Sequence, residues 1–258
     1  VPELPEAETI VRGLCPHVEG RCIVGAEFYA RRVSPDAPEL LAGRQVIAVR
    51  RHGKQVLLCL DSGAFVLIKL GMTGALLWNG EPGPYTRARL DFEGGGTLLF
   101  DDIRQFGSLR LVQEPGGKLG PDPFEITAED FAARLRSRNT QVKRALLDQS
   151  LVRGLGNIYT DEALFRAQID PRARTRHLRR DRAQRLHAEI VTLLEEAIEL
   201  RGSSISDYVD AQGQRGTFQT RHQVYGKAGQ PCPRCGTVIE RIVIAQRGTH
   251  FCPRCQRR

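Results

Sequence analysis

Apolar residues recur at helical spacing from Leu4 through Ala7, Ile10, Val11 and Leu14, which predicts a first helix from Glu3 to about His17 with one buried face. Glu3 and Glu6 fall on the opposite face, and Gly20 ends the element. Short alternating or apolar runs follow at 22–29, 45–51, 55–60, 64–70, 87–92, 97–101 and 107–112, separated by Gly and Pro clusters such as Pro82-Gly83-Pro84 and Gly94-Gly95-Gly96. Strands this short, punctuated this way, predict a sandwich or barrel. After Leu119-Gly120-Pro121-Asp122-Pro123 the period becomes helical. Helices are expected near 128–137, 140–148, 158–166 and 181–201, the last buried along Leu186, Ile190, Leu193, Leu194 and Ile198. Residues 202–224 are rich in Ser, Gly and Gln and have no period. A loop of that length in a compact protein is usually functional or mobile.

Length and charge narrow the class. The 258 residues suffice for two domains with real cores. No run approaches the ~20 apolar residues of a membrane span, and acids stand where a signal peptide carries positive charge, so a soluble, cytoplasmic protein with no membrane partner is expected. A net charge of +8 points to a polyanionic partner. Residues 172–185 carry seven arginines and one acid, a pattern read as a solvated face.

Cys232, Cys235, Cys252 and Cys255 form two CxxC pairs at zinc-ribbon spacing. Two-residue gaps let thiolates converge on one tetrahedral ion, and the strand-like stretch from Val238 to Ile244 supplies the hairpin that joins the pairs. One structural Zn²⁺ is therefore expected, closed by four sulfur ligands and doing no chemistry. Residues 227–258 hold seven Lys/Arg against Glu240 alone, so the stiffened hairpin is a basic finger suited to phosphate. Cys15, Cys22 and Cys59 lie on apolar faces and read as buried core thiols. The opening Val1-Pro2-Glu3-Leu4-Pro5-Glu6, taken alone, reads as a capped, solvated helix start.

Seven motifs then fall in register: PELPEAET, RHGK around Lys54, LGMTG around Met72, DIRQFG around Arg104, LGPDPF, DQSLVRGLGNIYTDEALF and the terminal zinc ribbon. Together they resemble the formamidopyrimidine-DNA glycosylase (Fpg/Nei) family over nearly the whole chain. The resemblance implies an α+β multidomain protein. Its parts would be an N-terminal helix plus β-sandwich domain over 1–115, a helical helix-two-turn-helix domain with a lesion-capping loop over 116–226, and a zinc finger over 227–258. It further implies a monomeric base-excision-repair enzyme acting on double-stranded DNA with a damaged base, held in the cleft between domains. The implied activity is that of a bifunctional glycosylase and AP lyase that excises oxidised purines and cuts the strand by β,δ-elimination.

The resemblance assigns roles residue by residue. Pro2 is the nucleophile, through a terminal secondary amine; Val1 stands before it and is expected to be a literally translated GUG start codon, removed in the cell. A terminal α-amine titrates near neutrality, and a helix N-terminus favours its free form. Glu3 is placed to protonate the sugar ring oxygen and to shuttle protons; Glu6 either orients the helix start or joins the chemistry. Lys54 is assigned to a phosphate beside the lesion and to proton transfer, and Arg247 to phosphate grip and δ-elimination. Met72, Arg104 and Phe106 match void-filling residues that replace an extruded nucleotide, although Met72 and Phe106 would, standing alone, be read as core. Asn157 matches the phosphate-binding turn, joined by Lys69, Arg87 and Arg138 as DNA-binding residues. The chain departs from the family pattern at Lys69, Arg87, Gln105 and Asn139, which bears on lesion preference. Rival readings are an endonuclease VIII-like enzyme for oxidised pyrimidines, disfavoured by PELPE, and a non-catalytic zinc-ribbon lesion binder.

Overall fold

The computed structural model describes residues 2–258; Val1, and with it the expectation about the processed terminus, lies outside the described residues. The chain forms two compact units, one comprising the residues up to Gly117 together with Ile198–Gln219, the other Lys118–Ala197 with Thr220–Arg258.

The first unit opens with helix α1 (Leu4–Val18). Eight strands follow: β1 (Ile23–Phe28), β2 (Val46–His52), β3 (Gln55–Leu60), β4 (Phe65–Lys69), β5 (Gly74–Trp78), β6 (Thr86–Phe92), β7 (Thr97–Asp102) and β8 (Ser108–Val112). They pair antiparallel into two four-stranded sheets, ordered β1-β6-β7-β5 and β2-β3-β4-β8. The apolar stripe of α1, Ile10, Val11 and Leu14, joins one core with Val56 and Leu58 of β3, Val66 and Ile68 of β4, and Leu90 and Leu98 of β6 and β7. Alternation along β6, where every second residue is buried, shows the period-two pattern that sends one face inward. Outside the core, Glu8 ties α1 to β2 through an ion pair with Arg51 at 2.9 Å.

The strand β5 was not foreseen. Its residues, Gly-Ala-Leu-Leu-Trp, have no polar alternation, and it is a sheet edge whose Trp78 N–H bonds the Ala211 carbonyl at 2.8 Å. A second departure concerns α1. Glu3 and Glu6 are buried, with 3 % and 2 % exposure, because residues 202–208 of the same unit cover the face the periodicity leaves polar. Of the three thiols expected in the core, Cys59 is buried, whereas Cys15 and Cys22 are half-buried. Burial and neighbouring Glu19 push the Cys15 thiol up to about 11, so it is inert at neutral pH.

The second unit carries helices α2 (Ala128–Ser137), α3 (Val142–Leu147), α4 (Asn157–Arg166) and α5 (Arg180–Glu199), and α5 runs on into the first unit's sequence. Thr127 caps α2 by accepting the Asp130 N–H at 3.1 Å, the signature that starts a helix after the Pro-rich linker. A terminal hairpin of β9 (Glu240–Ile244) and β10 (Arg247–Phe251) completes the unit. Phe165 of α4 packs with Val224, Cys232, Ile239 and Cys252, so the cysteine end of the hairpin shares a core with a helix. Among the described residues, no helix is long and apolar enough to cross a membrane.

Candidate active site and nucleic-acid interface

In the first unit the start of α1 is held by its own acids. Glu6 Oε2 accepts the Glu3 N–H at 2.7 Å, and the Glu3 carboxylate returns to the Glu6 N–H, a reciprocal capping box. Glu6 Oε1 also accepts the Ser203 N–H at 2.7 Å. The approach is close enough that a Cβ on Gly202 would stand 2.6 Å from Glu6 Oε1, and Gly202 has φ +75°. Only glycine tolerates both conditions. Pro2 is buried beside this acid pair. Glu6 thus fixes the backbone of α1 and of the 202–204 segment together, leaving Glu3 as the acid next to Pro2.

Lys54 sits with Gly53 in the two-residue hairpin between β2 and β3, where His52 pairs Gln55; Gly53, at φ +65°, supplies the left-handed position such a turn needs. Lys54 is half-buried.

The three residues assigned to void filling come together on two adjoining turns. Met72 lies between β4 and β5, and Arg104 and Phe106 lie between β7 and β8. The turns touch through backbone: a Cβ on Gly71 would meet Gly107 N and the Phe106 carbonyl carbon at 2.7 Å. The Asp102 carboxylate pins both turns, taking the Thr73 hydroxyl and the Gly107 N–H, the latter at 2.7 Å. Arg104 lies 4.6 Å from the Phe106 ring centroid and 3.4 Å from the Met72 sulfur. Met72 and Phe106 are 42 % and 53 % exposed, which excludes the core-packing reading for both. Gln105, between Arg104 and Phe106, adopts φ +53°, a strained conformation for a residue with a Cβ. Arg87 is half-buried and donates to the Asp102 carbonyl at 2.8 Å, so it braces the strand end beneath these turns. Lys69 is exposed at the end of β4, paired in register with Ser108.

In the second unit, Asn157 and Arg247 are brought together. The tip of the finger is a two-residue turn, Ala245-Gln246, with both residues left-handed at φ 50° and 60°, and Arg247 follows it, exposed. Asn157, the first residue of α4, donates from Nδ2 to the Gly248 carbonyl at 3.0 Å. The family resemblance implies a phosphate contact for Asn157; in the structure its amide holds the backbone next to Arg247. Arg138, at the end of α2, bonds Ser150 at 3.1 Å and lies 3.6 Å from Asp148.

Sequence reasoning missed the groups that fix this tip. Lys143 and Asp161 form a fully buried ion pair at 2.6 Å, and Lys143 Nζ also reaches the Gly248 carbonyl at 3.3 Å. The other Asp161 oxygen accepts the His250 N–H at 2.9 Å. The adjacent Glu162 accepts backbone N–H groups from Gln223, Val224 and Tyr225 at 2.8–3.0 Å. Two consecutive acids inside a helix whose other residues are largely apolar were the available signal. Removing one charge of a buried pair costs about 3–5 kcal/mol. Asp161→Asn is therefore expected to lower urea-unfolding stability by that amount; a loss under about 1 kcal/mol would show that the pair does not hold the finger.

His222 supplies a pH dependence. Burial, aided by the charge of Lys227, lowers its pKa to about 4. A depressed histidine favours its neutral form in the fold. Its contribution is complete above the unfolded value near 6.5 and is lost as pH falls towards 4, about 3 kcal/mol at most. His222→Gln is expected to remove that part of the fall in stability between pH 7 and pH 4.5; an unchanged slope would refute the assignment.

The four cysteines form one cluster. Their sulfurs all lie within 4.8 Å of one another, with Cys235–Cys252 at 3.5 Å and Cys232–Cys255 at 3.9 Å. Ligands about 2.3 Å from a tetrahedral Zn²⁺ stand roughly 3.8 Å apart, so the cluster fits one zinc with no open position.

Residues 1–109 match the formamidopyrimidine-DNA glycosylase N-terminal domain, 119–209 the formamidopyrimidine-DNA glycosylase H2TH domain, and 229–258 the zinc finger found in FPG and IleRS. A formamidopyrimidine-DNA glycosylase of Solibacter usitatus is 50 % identical, with all of both chains covered. The chain belongs to the formamidopyrimidine-DNA glycosylase family. The crystal structure of the MutM (FPG) protein of Thermus thermophilus is 43 % identical, covers 99 % of this chain and 98 % of its own, and superposes with a TM-score of 0.90. A Lactococcus lactis FPG mutant, solved in complex with a Fapy-dG containing DNA, is 34 % identical over the whole of both chains, with a TM-score of 0.91. Pro2, Glu3, Lys54 and the Met72–Arg104–Phe106 cluster fall in the formamidopyrimidine-DNA glycosylase N-terminal domain. Asn157 falls in its H2TH domain, and Arg247 with the four cysteines in its zinc finger.

Proposed function

We propose that this protein is a bifunctional DNA glycosylase and AP lyase that removes oxidised purines, 8-oxoguanine and formamidopyrimidines, from double-stranded DNA. The observation that carries the reading is the helix start: a buried acid, Glu3, adjoins Pro2, while Glu6 is fully committed to backbone N–H groups and cannot compete for its role.

With Val1 removed, the Pro2 nitrogen is a secondary amine at the positive end of α1. It attacks the deoxyribose C1′ as the bond to the damaged base breaks, and Glu3 supplies the proton the opening sugar oxygen needs. The resulting iminium draws electrons from C2′, so a 2′ proton is lost and the 3′ phosphate leaves; δ-elimination then releases the 5′ phosphate. Lys54 is assigned to the phosphate beside the lesion and to this proton transfer, and Arg247 to the phosphates released. Extrusion of the nucleotide leaves a gap, and the exposed Met72, Arg104 and Phe106 suit it: two apolar wedges with a guanidinium between them. Lys69, Arg87, Arg138 and Asn157 are proposed to serve backbone contacts, Arg87 and Asn157 by bracing the segments that make them. Zinc, when bound, contributes no chemistry and stiffens the finger that carries Arg247.

Borohydride trapping on a duplex with one 8-oxoguanine, followed by peptide mapping, tests the reading. A covalent adduct on Pro2 is expected. An adduct that forms only with thymine glycol would move the substrate to oxidised pyrimidines, and a protein with free Pro2 that traps neither lesion would end the proposal.

A further inference from the structure

The arginines of residues 172–185 have no part in the chemistry above, yet the fold does not scatter them. A pocket of about 810 Å³ in the second unit is lined by six arginines: Arg182 and Arg185 of α5, Arg234 and Arg254, and Arg257 and Arg258. A second pocket, of about 540 Å³, shares Arg182 and Arg258 and adds three more from residues 172–179. The shared residues set the two pockets side by side along one basic groove, and no Asp or Glu lines either part.

Two features show that this charge is held in place. The zinc-binding tetrapeptides are identical, Cys-Pro-Arg-Cys at 232–235 and again at 252–255, so each puts an arginine at its third position, and both arginines line the same pocket. Arg182 donates to the carbonyls of Gln168 and Arg257 and to the backbone oxygen of Arg258 at 2.9–3.1 Å, which fixes one wall to residues 257–258. Neutralisation within the protein is partial: in the second pocket Arg172 pairs with Asp170 at 2.7 Å and Arg179 with Asp181 at 3.0 Å, while the first is less compensated. Four thiolates on Zn²⁺ carry two net negative charges against six guanidiniums. Arg234 lies over the Phe165 ring at 4.7 Å, and Arg185 approaches Glu189 only to 3.9 Å. Arg258 lies 3.8 Å from Asp170, and among the described residues no carboxylate pairs with Arg254 or Arg257. Guanidiniums gathered around one pocket repel one another, and phosphate, which the planar fork binds bidentately, relieves that repulsion.

The groove is not the surface that carries Arg247. Arg247 follows the turn at one end of the β9–β10 hairpin, and the cysteine knuckles stand at the other, about 16 Å away at the rise of a strand. We propose that the groove is a second, sequence-independent site for the phosphate backbone of duplex DNA, so that one molecule holds two DNA segments at once. Two connected lobes suit a linear chain of phosphates better than one compact anion. A protein built this way passes between duplexes without first dissociating, which shortens the search for a rare lesion.

The test saturates the protein with a short duplex carrying an uncleavable abasic analogue and then adds a labelled undamaged duplex, followed by anisotropy at low salt. The saturated complex is expected to bind the second duplex. Arg254→Gln with Arg257→Gln is expected to weaken that step at least about tenfold and to reduce the slope of log affinity on log salt by about 2, at unchanged excision rate and zinc content. Arg185→Gln, on α5 and away from the knuckles, is expected to weaken it in the same sense. A saturated complex that takes no second duplex, or one whose second affinity ignores both variants, overturns the proposal, as does binding of inorganic polyphosphate alone. Failure of the lesion reading is distinct, since it removes the first duplex rather than the second.

Discussion

Glu3→Gln is expected to slow release of 8-oxoguanine by about 10²–10⁴, the range a positioned general acid supplies. The substitution isolates the proton. An amide oxygen at position 3 still accepts the Glu6 N–H, and the Glu3 N–H still donates to Glu6, so the capping box and the start of α1 survive. The variant should therefore melt close to the parent protein and should still be trapped by borohydride on a pre-formed abasic site, where no base has to leave. Single-turnover base release within tenfold of the parent would remove Glu3 from the mechanism. Loss of trapping on abasic DNA as well would mean that the residue matters for holding Pro2 rather than for donating a proton.

Removing the zinc should have the larger effect on binding. Metal affinity in small Cys-ligated modules is folding energy, and here the liganding residues Cys232 and Cys252 also belong to the apolar cluster of Phe165, Val224 and Ile239. Without the ion the bonds that join the two knuckles are gone, and the hairpin that carries Arg247 is left to its apolar packing and to the Asn157 and Lys143 bonds to the Gly248 carbonyl. Chelation, or Cys252→Ser, is expected to reduce zinc from one per chain to none and to weaken duplex binding at least about a hundredfold at physiological salt. A metal-free protein with undiminished affinity would show that the finger is not part of the DNA-binding surface.

Local pattern carried far into this fold. The helices expected at 128–137 and 158–166 stand at Ala128–Ser137 and Asn157–Arg166, and seven of the eight strands of the first unit follow the runs bounded by glycine and proline. The metal cluster was legible because spacing alone brings two knuckles together. What escaped were properties conferred by distant segments. Periodicity along α1 says that Glu3 and Glu6 point away from the apolar stripe, and it is right; it cannot say that Ser203 and Tyr208, some two hundred residues on, bury that side too. Nothing in the local pattern marks Lys143 and Asp161 as a buried pair, yet α3, α4 and β10 enclose them. Met72 and Phe106 differ in the opposite sense: standing alone each would read as core, but turns pinned by Asp102 hold them out in water. In each case the side chain's identity was plain and its solvent environment was not, because environment is a long-range quantity.

The division of the chain also sets an order of events during synthesis. The first unit is not contiguous: its sandwich is complete at Gly117, but the segment Ile198–Gln219 that covers the acid end of α1 is translated about a hundred residues later. At elongation rates of roughly 5–20 residues per second, the nascent sandwich spends on the order of 5–20 s with Glu6 lacking its Ser203 partner and the helix start open to water. A partly made chain can thus fold its scaffold before it assembles its acid. Ribosome-bound fragments stalled before residue 198 should be compact and catalytically silent, a built-in delay between folding and reactivity.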